Sequence, residues 1–269
     1  MLVTGTTAIV VIIGNPIVQV KSPGVMNRYF ADNAQNTVLV PVEIAPEGIP
    51  AFLGTIKAWT NLKGIIVTVP YKQVMAPLLD RLTPRAQRFA TVNVIRRDPD
   101  GSLEGEMLDG VGFIAAAERY GVNPKGKSGA VVGAGGVASA IANSLCETGA
   151  RSLRIHDLDR AKQNHLIATL RSAFPDTDIA AGLPDLATTE ILVNGTPLGM
   201  NDDPRLPLPD AVLAGLTAKT FVADVVTAPT MTPFLTLAKE RGCTIQTGVE
   251  MTETQLIPLA SFMGVAALR

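Results

Sequence analysis

The sequence predicts an α/β protein of two domains: an N-terminal, mostly parallel sheet covered by helices, then a Rossmann-type dinucleotide-binding sheet. Three observations predict it. Short β-branched runs alternate with helix-compatible segments between residues 8 and about 98, a second alternating series opens at Ser128, and that series begins on a glycine-rich turn. Strands that alternate with crossover helices form parallel sheets with both faces covered, so their strands read as near-continuous apolar runs.

In chain order, "AIVVIIG", "TVLVPVEI", "GIIVTVP" and "TVNVIRR" are the expected strands of the first domain, with "SPGVMNRYFADN" and "PEGIPAFLGTIKAW" as its helices. A hairpin-like turn in "RRDPDGSLEG" and the linker "NPKGKSG" bracket one helix, "GVGFIAAAERYG", and place the hinge there. The second series runs through "SGAVVGAGG", "SLRIHD", "EILVNGTP", "TFVADVV" and "CTIQTG", with "ASAIANSLCETG" and "MTPFLTLAKERG" as helices between them. The expected boundaries are 1–108 for the first domain and 109–247 for the second. Residues 248–269, which include "EMTETQLIPLASFMGVAALR", are expected to form a helix that returns to the first domain and carries Gln255 toward the cleft.

Of 269 residues, 47% are hydrophobic and 17% charged, with a formal net charge of -1, which argues against disorder and against a strongly charged nucleic-acid or membrane surface. Cys146 and Cys243 match neither a metal-ligand spacing nor a disulfide framework, so no metal and a reducing cytoplasm are expected. "AIVVII" lacks a basic flank and a cleavage site and reads as a strand. The glycines, serines and asparagine of the uncharged stretch "SGAVVGAGGVASAIANSLC" make it a poor hydrocarbon-facing helix.

"VVGAGGVASA" contains Gly133-x-Gly135-x-x-Ala138 between a β-branched run and a helical one. Gly133 permits the tight turn, Gly135 lets backbone amides approach a pyrophosphate at the helix N-terminus, and Ala138 allows close helix–strand packing. A plain tight crossover is the alternative. Asp157, 24 positions after Gly133, lies near the place, about 20 residues on, where an acid binds both ribose hydroxyls. That carboxylate repels a 2'-phosphate, so NAD is expected over NADP, although Arg154 and Arg160 lie close by in sequence. Asp157 as a turn former or helix cap is the other reading.

"GIIVTVPYKQ" reads as a buried strand feeding a helix, with Pro70 at an early helical position and Lys72 in the first turn. A cation at the positive end of a helix dipole is expected to have a depressed pKa unless a carboxylate answers it. Asp109, the one aspartate in "GEMLDGVGF" and flanked there by apolar residues and glycines, is the candidate, since a buried unpaired carboxylate costs several kcal/mol. Together the two can move a proton to or from a substrate hydroxyl. An exposed Lys72 and an N-capping Asp109 are the structural alternatives.

Over nearly its whole length the sequence resembles the shikimate/quinate dehydrogenase family. "GNPIVQVKSP", "VTVPYK", "VNVIRRDPDG", "LDGVGF", "GAGGVASA", "NGTPLGM", "DVVTAPTMTPFL" and "GVEMTETQL" are similar to eight of its motifs, in its order. The resemblance implies a substrate domain, an NAD(P) domain and a returning C-terminal helix. It implies Lys72 and Asp109 as the catalytic pair and Ser22, Thr68, Asn93 and Gln255 as substrate contacts. For the cofactor it implies Gly133, Ala134, Gly135, Gly136, Val137, Asp157, Asn194, Thr196, Gly199, Met200, Val225 and Gly248. The expected reaction is hydride transfer between NAD and a secondary alcohol on a cyclic hydroxy acid related to shikimate or quinate. A monomer or homodimer acting on a small molecule, with no nucleic acid and no membrane, completes the expectation. Neither His156 nor His165 is expected in catalysis, and Met200 and Met251 are expected to pack against ring and cleft.

The chain departs from the family at substrate positions. Val20 and Ile66 stand where the family has serine and asparagine, Met107 and Leu108 replace two polar residues, and Thr227 replaces a tyrosine. Each lost partner to a buried polar substrate group costs roughly 1 to 3 kcal/mol, so shikimate and quinate are expected to bind less well than in the family at large. A dehydrogenase of a less polar alcohol and a non-catalytic NAD-binding regulator are the alternatives, the second opposed by the retained lysine and aspartate.

Overall fold

The computed structural model describes residues 2–266. The chain divides into two compact units: one runs through Leu108 and resumes at Gln255, and the other is Asp109–Thr254. The return therefore begins seven residues later than the expected 248, because the first turns of the last helix cluster with the second unit.

In the first unit the elements follow the apolar runs. They are β1 (Ala8–Gly14), α1 (Ser22–Asp32), β2 (Thr37–Glu43), α2 (Ile49–Ala58), β3 (Leu62–Val67), α3 (Lys72–Met75), β4 (Arg81–Leu82), α4 (Pro84–Phe89), β5 (Val94–Arg97) and β6 (Leu103–Glu106). Their sheet has the order β2-β1-β3-β5-β6-β4. β1 pairs in parallel with β2 and β3, as expected of buried β-branched strands, whereas β5 runs antiparallel to both β3 and β6. The antiparallel pairing of β5 with β6 has a local cause: "DPDG" closes a hairpin in which Gly101 at φ +89 takes a conformation open to glycine. Met26, Phe30, Leu39, Ile56 and Ile65 fill the space between helices and sheet, each at most 1% exposed.

The second unit opens with α5 (Asp109–Glu118) and continues with β7 (Ser128–Val132), α6 (Gly136–Glu147), β8 (Ser152–His156), α7 (Arg160–Ala173), β9 (Asp178–Ala181) and β10 (Ile191–Asn194). It closes with α8 (Asp210–Leu213), β11 (Phe221–Asp224), α9 (Pro233–Glu240), β12 (Thr244–Gln246) and the start of α10 (Gly248–Phe262). Its strands are ordered β12-β11-β10-β7-β8-β9, all in parallel. That is the doubly wound arrangement, and the strand order reverses between β7 and β10, the place where such sheets bind ligands beyond the strand ends. β7 is buried at every residue, which is why it reads as unbroken apolar and small residues.

α5 and α6 touch through their backbones. A Cβ on Gly110 would lie 2.2 Å from the carbonyl oxygen of Ala140 and 2.4 Å from Ser144 Oγ, so only glycine fits. Gly110→Ala is expected to destabilise the protein by about 2 to 3 kcal/mol, because backbone rather than a flexible side chain must give way; urea denaturation of the variant measures it.

Candidate active site

Within the first unit the residues assigned to the substrate gather around the carboxyl end of β3. Val67 N donates to Asn93 O at 2.8 Å, Thr68 N to Ile13 O at 3.0 Å, and Val92 N to Lys72 O at 2.9 Å, so the backbones carrying Thr68, Lys72 and Asn93 are bound to one another. The loop leading to Ser22 joins them through Asn15 N, which donates to Val69 O at 3.1 Å. Gly14 allows that approach, since a Cβ there would lie 2.7 Å from the Thr68 methyl. Ser22 is half-buried as the first residue of α1.

Asn93 is the hub of this end. It is buried, its Oδ1 accepts from Leu108 N at 2.8 Å, and its Nδ2 donates to Gln255 Oε1 at 3.3 Å. Residues 162 positions apart thus share one polar cluster. Lys72 is half-buried as the first residue of α3. Pro70 is not inside that helix as expected: it precedes it, after a cis peptide bond with Val69. α3 has only four residues and runs directly into a 3-10 turn over Ala76–Leu78.

Asp109, 3% exposed, opens α5 in the second unit, so the chain divides between Leu108 and this aspartate. Its carboxylate sits at the positive end of a ten-residue helix, which eases the cost of burial. Ile66, Met107 and Leu108, the apolar residues at family polar positions, are 5%, 0% and 7% exposed and belong to the core of the first unit. Val20 is half-buried and Thr227 exposed.

The glycine turn after β7 has the shape expected of a dinucleotide site. Gly133 has φ +105, and a Cβ on it would meet Gly195 and Thr196 at 3.1 Å. Gly135 occupies the N-cap of α6 in an extended conformation with no side chain capping the helix, and a Cβ there meets nothing within 4 Å. The first turn of a twelve-residue helix is therefore left without a side-chain cap, as a pyrophosphate site at a helix N-terminus requires. Ala134, Gly136 and Val137 line this turn, all half-buried. Asp157, at the end of β8, accepts from Ala134 N at 2.6 Å through Oδ2 and from Asp159 N at 2.7 Å through Oδ1. It braces the turn and shapes its own, while Asp159 caps α7.

After β10, Asn194 is fully buried. Its Oδ1 accepts from Thr196 N at 3.0 Å and Thr196 Oγ1 at 2.7 Å, and its Nδ2 donates to Leu198 O at 3.2 Å. Gly199 has φ +89, and Asn201 and Asp202 are also left-handed, at φ +53 and +61, so this loop holds a conformation uncommon outside glycine. Met200 is 40% exposed and Met251 5% exposed. Val225 N donates to Asn194 O at 3.1 Å, and Gly248 lies so close to Val225 and Val226 that a Cβ would come within 2.5 Å of their carbonyl oxygens.

Two features escaped the sequence reading. Asp224, 1% exposed, accepts from Asn194 Nδ2 at 3.1 Å, Val226 N at 3.0 Å and Thr232 Oγ1 at 2.7 Å. Burial pushes its carboxyl above the usual range, against the pull of those hydrogen bonds. An acid inside the apolar run "TFVADVV" was the available signal. The second is the start of α10, where Thr247 N donates to Glu250 Oε2 at 2.8 Å and Glu250 N to Thr247 Oγ1 at 3.3 Å, a capping box written as T-x-x-E. Tyr120 OH also donates to Glu250 Oε1.

Residues 12–95 match the model of the shikimate dehydrogenase substrate binding domain. A shikimate dehydrogenase (NADP(+)) of Moorella thermoacetica is 33% identical over 258 residues, which cover 93% of this chain and 85% of that protein. The chain belongs to the shikimate dehydrogenase family. It is accordingly an oxidoreductase of the CH–OH class with a nicotinamide cofactor. Among solved structures, shikimate 5-dehydrogenase of Listeria monocytogenes, in complex with shikimate and NAD, superposes with TM-score 0.90 at 27% identity, covering 97% of this chain and 93% of that one. The ligand-free 5-ketofructose reductase of a Gluconobacter strain superposes with TM-score 0.89 at 26% identity, covering 98% and 95%. Among the described residues no helix is long and apolar enough to cross a membrane, and no group of three or more His, Cys, Asp or Glu could hold a metal.

Glu250 carries a pH signature. Burial, the largest single influence, raises its pKa, yet the hydrogen bonds from Tyr120 and Thr247 together hold it below the usual 4.5. The same bond, with burial, pushes Tyr120 up to about 12. A lowered folded pKa gives stability that is present above 4.5 and lost as the pH falls through the folded value. Tyr120→Phe is therefore expected to be less stable than the parent at neutral pH, with the difference shrinking below pH 4.5; urea denaturation of both across pH 3 to 7 measures it.

Proposed function

We propose that this protein is an NAD-dependent oxidoreductase that interconverts a secondary alcohol and a ketone on a cyclic hydroxy acid of the shikimate or quinate kind. The observation that carries the reading is the clustering of Thr68, Lys72, Asn93 and Gln255 at one end of the first sheet, a hydroxyl, an amine and two amides in a family whose members are dehydrogenases. The bound nicotinamide supplies the hydride acceptor or donor. Lys72 takes the hydroxyl proton during oxidation and returns it during reduction. Asp109 orients that amine and offsets the charge it acquires. Asn93 and Gln255, already oriented by their mutual hydrogen bond, hold the ring hydroxyls.

The preference for NAD rests on Asp157. Its two oxygens each accept one backbone N–H and keep lone pairs for ribose hydroxyls, whereas a 2'-phosphate would meet a carboxylate. The Listeria structure contains NAD, whereas the similar shikimate dehydrogenases, those of Moorella thermoacetica and Rubrobacter xylanophilus among them, are named for NADP(+) and weigh toward that cofactor.

A second reading has its own support. The buried Ile66, Met107 and Leu108 offer no hydrogen bonds from their side chains to a carboxylated ring, and a 5-ketofructose reductase shares the fold at TM-score 0.89. An uncharged or less polar ketone is the substrate on that reading.

Initial rates with shikimate and quinate, each with NAD+ and NADP+, and with 5-ketofructose and NADH decide between them. Turnover of a ring acid with NAD+ is expected, and turnover of 5-ketofructose alone would establish the second reading. Lys72→Ala is expected to lower kcat by about 10² to 10⁴ while leaving NADH affinity unchanged; a variant that keeps its rate removes Lys72 from the chemistry. Asp157→Ser is expected to shift the ratio of kcat/KM values toward NADP+ by at least about tenfold, roughly one charge-assisted hydrogen bond.

A further inference from the structure

We infer that Asp224 is a positioning residue: it holds the two loops beside the nicotinamide in register through Asn194 and Thr232. The inference rests on the assignment of Thr196, Gly199, Met200 and Val225 to the nicotinamide side of the cofactor. Asp224 touches neither cofactor nor substrate in this account and acts only through its neighbours.

The chain of contacts is short. A carboxylate only accepts hydrogen bonds, so the Asn194 atom facing Asp224 must be Nδ2, and this fixes which way the Asn194 amide points. Its Oδ1 then faces Thr196, where it accepts both N–H and hydroxyl. The same Nδ2 reaches Leu198 O. Asp224 thereby sets the whole "NGTPLG" loop through one side chain.

The other oxygen does the same for the second loop. Thr232 Oγ1 donates to Asp224 Oδ2 at 2.7 Å and accepts from Leu235 N at 3.2 Å, capping α9. Val226 N donates to Asp224 Oδ1 at 3.0 Å, so both ends of the loop 225–232 are tied to one carboxyl group. The loops also touch directly: a Cβ on Gly199 would sit 3.2 Å from Thr232 Cβ, and Asn201 N donates to Ala228 O at 3.2 Å. All three donors to Asp224 are uncharged, and no cation answers it among the described residues, so ion pairing does not account for a carboxyl buried to 1% exposure. Acceptor geometry does.

The test separates positioning from a merely structural role by using two cofactor fragments. Binding of NADH and of ADP-ribose, which lacks the nicotinamide, is measured by calorimetry for the full-length parent, Asp224→Ala and Asp224→Asn, with melting temperatures alongside. Asp224→Ala is expected to weaken NADH about tenfold while ADP-ribose changes less than about twofold, the scale of one hydrogen bond to a charged group. Asp224→Asn is expected to rescue most of the loss, because its amide oxygen still accepts from Asn194 and Val226 while its NH₂ donates to Thr232 Oγ1. Equal weakening of both ligands, or of neither, overturns the inference. If the alanine variant does not fold, Thr232→Val, which removes one of the three donors, is read by the same pair of ligands with the same two outcomes. A folded parent that binds neither ligand would instead overturn the nucleotide site on which the inference rests.

Discussion

Three backbones meet almost without side chains at the switch point of the second sheet, and the cofactor half of the protein is arranged around that contact. A Cβ on Gly133 would meet Gly195 and Thr196 at 3.1 Å, and a Cβ on Gly195 would meet Ala138 Cβ at 2.6 Å. The turn after β7, the start of α6 and the loop after β10 can approach one another only because these positions are glycine and alanine. The N-terminus of α6 is consequently held next to the loop that carries Gly195 and Thr196. Larger residues at any of the three would push the loop off the helix and separate the two halves of the site.

Buried carboxylates recur at the ends of elements, each answered differently. Asp109 lies at the positive end of α5. Asp157 stays half-exposed and accepts from two backbone N–H groups, which ties the glycine turn to the end of β8. Asp224 is buried most deeply and has its pKa raised, since three neutral hydrogen bonds do not replace the water it has lost. A raised folded pKa contributes stability that is full below the ordinary 3.8 and lost as the pH rises through the folded value, the opposite sign from Glu250. Holding Asp224 ionised near neutral pH therefore works against the fold, and such a residue persists where its acceptor geometry is of use.

What could be read from the sequence was what is local. "AIVVIIG" and "SGAVVGAGG" became β1 and β7, because a run of β-branched or small residues bounded by glycine is a buried strand in its own right. The glycine turn and Asp157 were legible for the same reason, being defined by spacing along one βαβ unit. β4 has two residues and β9 has four with mixed burial, too little pattern to distinguish from loop. The α3 turn was overestimated, since a proline that suits a helix start also suits the residue before one. Asp224 was missed because its meaning lies in partners 30 and 8 positions away, which β10 and α9 bring to it only after the sheet has formed.

The substrate end follows a different logic from the cofactor end. Its polar groups are few and mutually committed: Asn93 spends one atom on Leu108 N and the other on Gln255, so a ligand must share or replace bonds that already exist. Around them Ile66, Met107 and Leu108 are packed core residues, and packing of that kind adds affinity for apolar surface without choosing among polar ligands. Discrimination is strong when a site built to hydrogen-bond a group is left unpaired by the wrong ligand, and weak when an apolar wall merely tolerates a different one. Packed apolar side chains at Ile66, Met107 and Leu108 therefore leave the choice among polar ligands to the hydrogen-bonding groups at this end, of which Asn93 and Gln255 are already bonded to each other.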